Sequence, residues 1–344
     1  MTAPTDGPGP RRLRVAFAMR SDDLLSQLLP PAVRVQLDRV ADVVSDSVLT
    51  EFSSARARAV LGETDVLVTG WGCPRIDEAV LALAPRLRLV AHAAGTVKAH
   101  IDPVTWHRGV AVTTAAQANA WPVAEYTLAF ILLAGKGAFA ASRALSLAQG
   151  DFVSPGSEQV GTYGTTVGII GASRVGRLVL ELLRPFNFEV LLATPELTQD
   201  QARALGARLL PLDDLMAESR IVSLHAPVLP STIGMIGAEQ LARMGDGATF
   251  INTARGVLVD HDALRRETQS GRLSAILDVT DPEPLPTGDP LYGLPNVILT
   301  PHIAGSMGNE LSMMGQSAVH EVELLATGQP LLHPVTLVDL ARMA

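Results

Sequence analysis

Short apolar runs alternate with helical patterns along the whole chain, and this alternation restricts the possible folds more than any other feature. The runs in the first third are Val15–Ala18, Asp65–Thr69, Leu87–Ala93 and Val110–Thr113. The later runs are Thr166–Ile170, Glu189–Ala193, Ile221–Leu224, Thr249–Asn252, Ser274–Asp278 and Val297–Leu299. The later runs are nearly continuously hydrophobic, as is typical of strands that helices cover on both faces. The pattern therefore predicts βαβ units with largely parallel sheets, in two α/β domains.

Size and composition agree with two domains and exclude several classes of protein. A chain of 344 residues is long enough for two domains of roughly 100–200 residues each. Hydrophobic residues make up 47% and charged residues 18%, so the chain can build buried cores and carries too little charge for intrinsic disorder. A net charge of −8 makes it a poor candidate for binding nucleic acid or an anionic membrane surface.

The single cysteine and the N-terminal segment bear on the compartment. Cys73 alone cannot form an internal disulfide or a multi-thiolate metal site, and it fits a reducing environment. The segment Met1–Arg12 lacks the apolar region of a signal peptide, so we expect a cytoplasmic protein. We expect no metal site, and we interpret the histidines at 92, 100 and 107 as scattered rather than ligating.

Helix signals stand between the apolar runs. We expect a long apolar helix over Pro122–Gly135, with Pro122 in its first turn. Asp260 is a candidate N-cap for a helix that ends at Ser270–Gly271. One face of a last helix is marked by Leu311, Met314, Ala318, Val322 and Leu325.

A glycine-rich turn directly follows the run Thr166–Ile170. It reads Gly171-Ala172-Ser173-Arg174-Val175-Gly176, and a helical pattern continues from it through Leu183. A strand, a glycine turn and a helix in this order form a binding site for a dinucleotide pyrophosphate, because the helix N-terminus offers free N–H groups.

The turn departs from the usual pattern in two places. Ser173 stands where a second glycine is expected, although its hydroxyl could donate a hydrogen bond to phosphate. Thr194 stands where an acidic residue usually binds the ribose 2′-hydroxyl, and Glu196 close by would oppose a 2′-phosphate. Arg174 fits either a phosphate contact or a solvated helix face. From this turn alone, a dinucleotide site and an ordinary glycine-rich turn both remain open.

Three later segments follow predicted strands, where α/β sheets place their active groups. They are Ile251–Gly256 (INTARG), Asp278–Pro284 (DVTDPEP) and Thr300–Gly305 (TPHIAG). With Asn119–Glu125 (NAWPVAE), Ser223–Pro227 (SLHAP) and Ser270–Leu273 (SGRL), they make the chain resemble the D-isomer-specific 2-hydroxyacid dehydrogenase family. The resemblance extends from about Leu13 to about Pro334.

The resemblance implies a complete active site. Arg255, Glu283 and His302 occupy the family's catalytic positions. His302 would be the acid/base at the substrate carbonyl, Glu283 would orient it, and Arg255 would bind the substrate carboxylate and polarise the carbonyl. Each residue taken singly also fits a structural role, but together and at these spacings they favour catalysis.

The resemblance further implies a coenzyme and the residues around it. NAD(H) is favoured and NADP(H) is not excluded. The expected coenzyme-binding residues are Gly171, Ser173, Arg174, Val175, Gly176, Thr194, His225, Ala226, Pro227, Thr253, Ala254 and Asp278. The expected substrate-binding residues are Ala94, Gly95, Thr96, Arg255 and His302. His225 is expected to shape the turn near the nicotinamide rather than to react.

For the architecture, the resemblance implies two doubly wound Rossmann-like domains with a cleft between them. Residues 1–119 and 304–344 would form a flavodoxin-like substrate domain, and residues 120–303 the NAD(P)-binding domain. Cys73 would line the substrate side of the cleft. The family usually dimerises through its nucleotide domains, so we expect a homodimer with the helix Val123–Gly135 at the interface, although this helix could equally belong to the core.

Other functions stay open at this point. The leading expectation is an oxidoreductase that transfers a hydride between a nicotinamide dinucleotide and a small 2-oxoacid or D-2-hydroxyacid. A formate- or phosphite-type dehydrogenase is a second enzymatic possibility, which the Glu283–His302 pair disfavours. A catalytically weak member that senses or binds a dinucleotide ranks next, because of Ser173 and Thr194, and a corepressor-like binding protein comes last.

Overall fold

The structure, a computed structural model, describes residues 12–149 and 160–343, without the side chains of residues 341 and 342. Residues 1–11 and 344 lie outside this part of the chain. The expectation about a signal peptide and the outer ends of the expected first domain therefore fall on residues that are not described. The strands are β1 (Leu13–Ala18), β2 (Ala41–Val43), β3 (Val66–Thr69), β4 (Leu89–His92), β5 (Ala111–Thr114), β6 (Thr166–Ile170), β7 (Glu189–Ala193), β8 (Arg208–Leu209), β9 (Ile221–Leu224), β10 (Thr249–Asn252), β11 (Ser274–Leu277) and β12 (Val297–Leu299). The helices are α1 (Asp22–Leu28), α2 (Pro31–Val40), α3 (Ala55–Glu63), α4 (Glu78–Leu83), α5 (Val104–His107), α6 (Ala116–Gly135), α7 (Ala138–Ala148), α8 (Arg174–Leu183), α9 (Gln199–Ala204), α10 (Leu212–Glu218), α11 (Ala238–Arg243), α12 (His261–Gln269), α13 (Leu311–Ala326) and α14 (Leu337–Arg342).

The chain divides into two compact units. The first contains the described residues up to Asn119 together with Ser306–Met343, and the second contains the described residues from Ala120 to Gly305. The second change of unit therefore lies two residues later than the expected boundary at 304. A backbone contact accounts for this, because the N–H of Ala304 donates to Asp278 Oδ2 at 2.9 Å and holds Ala304 in the second unit.

The first unit is built on a parallel sheet with the order β2-β1-β3-β4-β5. This is the flavodoxin-like strand order. Helices α1, α2 and α13 pack on one face of the sheet, and α3 and α4 on the other. The flavodoxin-like fold expected for this part of the chain is thus confirmed.

The second unit contains a parallel sheet with the order β12-β11-β10-β9-β6-β7-β8. From β6 the chain builds outward through β7 and β8, and then returns to the other side of β6 with β9. This is the doubly wound Rossmann order, which confirms the expected fold class. The switch point lies between β6 and β9, and ligands of such sheets bind outside the carboxyl ends of the strands at that point.

Several local expectations were wrong. Helix α6 begins at Ala116, so Pro122 lies inside it rather than in its first turn. An internal proline costs about 3 kcal/mol, and the burial of Ala120, Val123 and Ala124 around it offsets this cost. Cys73 does not line a cleft: it is 4% exposed within the core between the first sheet and α3, and burial raises the pKa of its thiol to about 12.

Two edge strands were missed. Strand β2 has three residues and β8 has two, and each pairs with only one neighbour, β1 and β7 respectively. Runs this short have too little periodicity to be distinguished from loops in a sequence.

Within the described residues, no helix taken singly has the length and apolarity needed to cross a membrane, whereas α6 and α7, bent by 55°, meet the criterion as a pair. The same part of the chain contains no group of three or more His, Cys, Asp or Glu residues that could hold a metal ion.

Candidate active site

The glycine-rich turn lies at the switch point of the second sheet, and two of its glycines are required by close backbone contacts. Gly171 has a φ of +95°, and a Cβ on it would lie 2.7 Å from the nitrogen of Ala226. A Cβ on Gly176 would lie 2.2 Å from the carbonyl oxygen of Gly171. The turn is therefore packed as closely as backbone allows against the first turn of α8 and the segment after β9. It forms a cradle of the kind that receives a pyrophosphate.

The residues between these glycines shape the start of α8. Ser173 is the N-cap, and its Oγ accepts the N–H of Gly176 at 3.3 Å, which leaves the hydroxyl hydrogen available for donation. Arg174 is exposed and Val175 is half-buried. Arg177, which the sequence analysis missed, donates from Nε to the carbonyl oxygen of Ala172 at 2.9 Å and braces the turn from the helix side.

Thr194 directly follows β7, the strand next to β6. It is half-buried, and its Oγ1 accepts the N–H of Glu196 at 3.5 Å. Pro195 and Glu196 are exposed. Where the usual pattern has an acidic residue, this chain therefore has the hydroxyl of Thr194, and the carboxylate of Glu196 follows two residues later.

His225 ties the two strands of the switch point together. Its backbone N–H donates to the carbonyl oxygen of Ile170 at 2.7 Å. Its side chain is 3% exposed, with Nε2 2.9 Å from Ser223 Oγ and with no hydrogen-bond partner for Nδ1 in the described part of the chain. Burial lowers the pKa of His225 to about 3, so the imidazole is neutral at physiological pH. The structure therefore places backbone of His225 and Ala226, rather than the imidazole, against the glycine turn.

A second turn, after β10, carries Arg255 and is held by the side chain of Asn252. The Oδ1 of Asn252 accepts the N–H of Ala254 at 2.9 Å, and its Nδ2 donates to the carbonyl oxygen of Arg255 at 3.0 Å. Thr253, which is buried, lies with its Oγ1 3.0 Å from Thr127 Oγ1 on α6. These bonds give the turn one conformation.

The guanidinium of Arg255 is partly withdrawn from water. Its Nη1 donates to the carbonyl oxygen of Ala254 at 2.6 Å. Burial lowers the pKa of Arg255, and the carboxylate of Glu283 opposes this shift. An arginine stays charged in spite of such a shift, so it provides a fixed cation with a planar fork for a carboxylate.

The third element of the site is the pair formed by Glu283 and His302. The Nδ1 of His302 lies 2.7 Å from Oε1 of Glu283, and the two side chains are 47% and 43% exposed. His302 has a φ of +56°, a conformation that non-glycine residues rarely adopt. With Nδ1 engaged by the carboxylate, Nε2 is the ring nitrogen that can meet a substrate.

Asp278 holds the turn that carries His302. Its carboxylate is 2% exposed and accepts three donors: Thr300 Oγ1 at 2.7 Å, the N–H of Ile303 at 2.8 Å and the N–H of Ala304 at 2.9 Å. The N–H of His302 donates to the carbonyl oxygen of Asp278 at 3.0 Å. These four bonds keep His302 in its unusual backbone conformation.

Tyr126 on α6 extends this network. Its hydroxyl lies 2.6 Å from Thr300 Oγ1, and because the single hydroxyl hydrogen of Thr300 goes to Asp278, Tyr126 is the donor in this bond. Burial raises the pKa of Tyr126, the bond with Thr300 opposes that shift, and the charge on Asp278 adds to it.

A cavity of about 610 Å³ adjoins the Glu283–His302 pair. Its remaining wall is largely apolar and includes Pro284, Leu285, Leu291 and Leu299. Size and lining are those of a small-molecule site.

The expected substrate loop Ala94-Gly95-Thr96 belongs to the first unit, whereas Arg255, Glu283 and His302 belong to the second. The loop follows β4, and the hydroxyl of Thr114 lies between two of its carbonyl oxygens, 2.8 Å from that of Ala94 and 2.6 Å from that of Gly95. His92, the last residue of β4, is 1% exposed, and its Nδ1 lies 2.8 Å from Thr69 Oγ1.

The structure thus gathers the predicted residues of the second unit around the carboxyl ends of its strands, and adds residues that the sequence analysis did not single out as organisers. Asn252 and Asp278 are the main additions, since the side chain of each holds a turn that carries a predicted catalytic residue. One sequence signal could have indicated them: each is a polar residue that closes an otherwise apolar strand pattern.

Comparison with known proteins identifies the class. Residues 128–304 match the NAD binding domain of the D-isomer specific 2-hydroxyacid dehydrogenases. Over 273 residues the chain is 35% identical to D-3-phosphoglycerate dehydrogenase of Mycobacterium tuberculosis, covering 79% of this chain and 51% of that protein. Over 311 residues it is 31% identical to glyoxylate reductase of Korarchaeum cryptofilum, covering 89% and 87%. The chain therefore belongs to the D-isomer-specific 2-hydroxyacid dehydrogenase family.

The solved structures agree with this assignment. A phosphoglycerate oxidoreductase from Rhizobium etli superposes with a TM-score of 0.79 at 26% identity, covering 94% of this chain and 98% of that one. The chain spans about half the length of the phosphoglycerate dehydrogenases it matches.

Proposed function

We propose that this protein is an NAD(P)-dependent oxidoreductase that interconverts a small 2-oxoacid and the corresponding D-2-hydroxyacid. The observation that carries the proposal is the 2.7 Å contact between His302 Nδ1 and Glu283 Oε1, on a turn held by Asp278 in the same unit as Arg255 and the glycine cradle. The names of the relatives support it, since they include a dehydrogenase and a reductase of this substrate class.

The residues present fit a nicotinamide dinucleotide. The turn that contains Gly171 and Gly176, where close backbone packing leaves no room for a Cβ on either residue, lies at the N-terminus of α8, where N–H groups and the helix dipole favour a pyrophosphate. Ser173 and the backbone of Ala226 would border that group, and Thr194 would face the adenosine ribose. When bound, the nicotinamide exchanges a hydride with the substrate carbon.

The residues that would lie beside the adenosine ribose favour NAD(H) over NADP(H). No arginine follows Thr194 within the next several residues, and the exposed carboxylate of Glu196 repels a 2′-phosphate. NADP(H) is the competing ligand in the test below.

The chain's own residues would divide the chemistry among them. Arg255 binds the substrate carboxylate through its planar fork and polarises the adjacent carbonyl. His302 donates a proton from Nε2 to the carbonyl oxygen during reduction and accepts it during oxidation. Glu283 fixes the ring orientation and stabilises the positive charge that His302 carries before it donates.

The test has two steps. Binding of NADH and of NADPH to the full-length protein is measured by nucleotide fluorescence, and a panel of 2-oxoacids is then followed by the nicotinamide absorbance. Coenzyme binding together with oxidation by an oxoacid supports the proposal. Binding without turnover across the panel favours a dinucleotide-sensing protein, and binding of neither coenzyme contradicts the site as drawn.

We also propose a homodimer formed through the second unit. Helices α6 and α7 expose large apolar side chains, namely Leu133 (42%), Phe139 (37%), Leu145 (58%) and Leu147 (73%). Apolar surface concentrated on one helical pair is typical of a subunit interface. Light scattering of the native protein should show a dimer, and the double variant Leu145→Asp, Leu147→Asp should show a monomer. A monomeric native protein would contradict this part of the proposal.

A further inference from the structure

We propose that His261 and Arg265 are positioning residues that hold the loop carrying Glu283 at both of its ends. The residues 281–289 are called the Glu283 loop below. The two side chains lie one turn apart on α12, so they project from the same face of that helix. The anchoring rests on geometry alone, and its effect on catalysis rests on the proposed function.

The first anchor is the imidazole of His261, which is 6% exposed. Its Nδ1 lies 3.1 Å from the carbonyl oxygen of Val259. Because a carbonyl oxygen only accepts, Nδ1 carries the ring hydrogen and Nε2 is an acceptor. The N–H of Asp281 donates to this Nε2 at 3.3 Å, so the beginning of the Glu283 loop is bonded to α12.

The second anchor is the ion pair between Arg265 and Asp289. The Nε of Arg265 lies 3.0 Å and its Nη2 2.7 Å from Oδ2 of Asp289, whose side chain is 5% exposed. Asp289 Oδ1 also accepts the N–H of Leu291 at 3.0 Å. Burial works to raise the pKa of Asp289, but the bonds from Arg265 and Leu291 outweigh it and lower that pKa. The end of the Glu283 loop is therefore fixed to the same helix.

A backbone contact joins the start of the loop to the turn that carries Arg255. A Cβ on Gly256 would lie 2.1 Å from the carbonyl carbon and oxygen of Thr280 and 2.6 Å from the nitrogen of Asp281. The segment 280–281 thus packs directly on the residue after Arg255. The relative placement of Arg255 and Glu283 is set through this contact and through α12, which begins five residues after Gly256.

Glu283 needs such anchors because its own side chain is not held by burial. Its side chain is 43% exposed, so packing of that side chain does not select the rotamer that brings Oε1 to 2.7 Å from His302, and the backbone of the loop has to place it. Burial of Leu285 fixes the middle of the loop, and the anchors fix its two ends. An exposed carboxylate that is to orient a histidine must be delivered by its backbone. The bonds at Asp281 and Asp289 provide that control from the two sides.

The role of His261 depends on its neutral form. Burial lowers the pKa of His261, the neighbouring Arg265 lowers it further, and the Val259 carbonyl and the carboxylates of Asp281 and Asp289 oppose the shift. Protonation would place a hydrogen on Nε2 against the N–H of Asp281 and break the first anchor. The anchor is therefore present at neutral pH and is lost as the pH falls through the lowered pKa of His261.

Two substitutions at one position separate anchoring from packing. His261→Phe keeps a ring in the core but removes the acceptor for Asp281, whereas His261→Gln offers an amide oxygen that does not titrate. His320→Phe, at an exposed histidine of the first unit paired with Glu323, is the matched control. Amide hydrogen exchange is measured on peptides covering residues 279–285 of the full chain without added ligand, and kcat and KM are then measured across pH.

We expect faster exchange in these peptides for His261→Phe, unchanged exchange for His320→Phe, and near-native exchange at neutral pH for His261→Gln. We expect kcat of His261→Phe to fall by about 10- to 100-fold with little change in KM, because a misplacement of about 1 Å reaches that size. In His261→Gln the acid-side rise in exchange should disappear.

Unchanged exchange and kcat in His261→Phe would overturn the proposal. If His261→Phe does not fold, Arg265→Lys, which keeps the charge but loses the two-point contact, provides the same comparison at the other end of the loop. If no oxoacid is turned over, the proposed function fails while the exchange results still decide whether the loop is anchored.

Discussion

The backbone N–H of His302 donates to the carbonyl oxygen of Asp278 at 3.0 Å, and the carboxylate of the same aspartate accepts the N–H groups of the two residues that follow His302. One buried residue therefore holds both sides of the turn on which the proposed acid/base stands. The positive φ of His302 would otherwise cost roughly 1–3 kcal/mol, and the bonds to Asp278 supply the constraint that keeps it occupied.

Replacing Asp278 should therefore disturb both stability and catalysis. Asp278→Ala leaves the N–H groups of Ile303 and Ala304 without their acceptor in a buried site, and we expect a loss of about 2–4 kcal/mol in the free energy of unfolding. Asp278→Asn keeps one acceptor oxygen and should lose less. Urea unfolding monitored by circular dichroism measures both variants, and equal stability of Asp278→Ala and the native protein would contradict the role assigned to Asp278.

Replacing His302 should strongly reduce turnover without affecting coenzyme binding. Asn is the best substitute, because it tolerates a positive φ and removes the titrating ring. We expect kcat to fall by about 10²- to 10⁴-fold, which is the usual contribution of a general acid/base. His320→Asn, which alters the exposed His320–Glu323 pair of the first unit, is the control and should keep native activity. Retained turnover with lost coenzyme affinity would contradict the assignment of His302.

Thr194→Asp should shift coenzyme preference toward NADH. A carboxylate at the end of β7 would accept the ribose 2′-hydroxyl and repel a 2′-phosphate. The ratio of kcat/KM for NADH to that for NADPH should rise by at least about tenfold, equivalent to about 1.4 kcal/mol. Glu196→Gln, which removes a nearby negative charge, should change the ratio in the opposite direction. If neither variant changes the ratio, this end of β7 does not contact the ribose.

Gly171→Ala should prevent the cradle from forming. The new Cβ would meet the nitrogen of Ala226 at 2.7 Å, in addition to the strain of a φ of +95°. Gly234→Ala is a matched control, since Gly234 also has a positive φ of +65° but a Cβ there meets nothing within 4 Å. We expect Gly234→Ala to cost about 1 kcal/mol and Gly171→Ala clearly more, with loss of coenzyme binding. Thermal unfolding of both variants, with and without coenzyme, measures this difference: added coenzyme should raise the unfolding temperature of Gly234→Ala but not that of Gly171→Ala.

Stability should decrease on the acid side because burial lowers the pKa of three histidines of the described residues, of which His92 and His225 are tested here in addition to His261. Burial, with a smaller effect of His100 on His92, lowers the pKa of both His92 and His225 to about 3. In the unfolded chain they take up protons near their ordinary pKa of about 6.5, so stability is greatest above that pH and falls as the pH decreases toward 3. His92→Asn and His225→Gln keep a hydrogen-bonding group without titrating. Each should give a weaker dependence of the urea midpoint on pH between about 7.5 and about 5, and an unchanged dependence in both would contradict the prediction.

Much of the second unit follows from local patterns. The expected strands over 166–170, 189–193, 221–224 and 297–299 agree with β6, β7, β9 and β12 to the residue, because covered parallel strands are continuous apolar runs with clear ends. Asp260 caps α12 through a bond from the N–H of Ala263, and Ser270–Gly271 ends that helix, as the capping chemistry of these residues predicts. The glycine turn could likewise be located from its position between a strand and a helix, whereas Arg255, Glu283 and His302 were predicted from the resemblance of their three segments to the family.

Contacts between distant parts of the chain could not be located in this way. Pro122 has a local preference for a helix start, yet burial of the residues on either side places it inside α6. The roles of Asp278 and His261 in holding turns arise only when folding brings them to backbone that lies 20 to 26 residues away, whereas Asn252 bonds only within its own turn. Periodicity and capping act through neighbours along the chain and are visible in the sequence, whereas the satisfaction of buried polar groups depends on which segments the fold brings into contact.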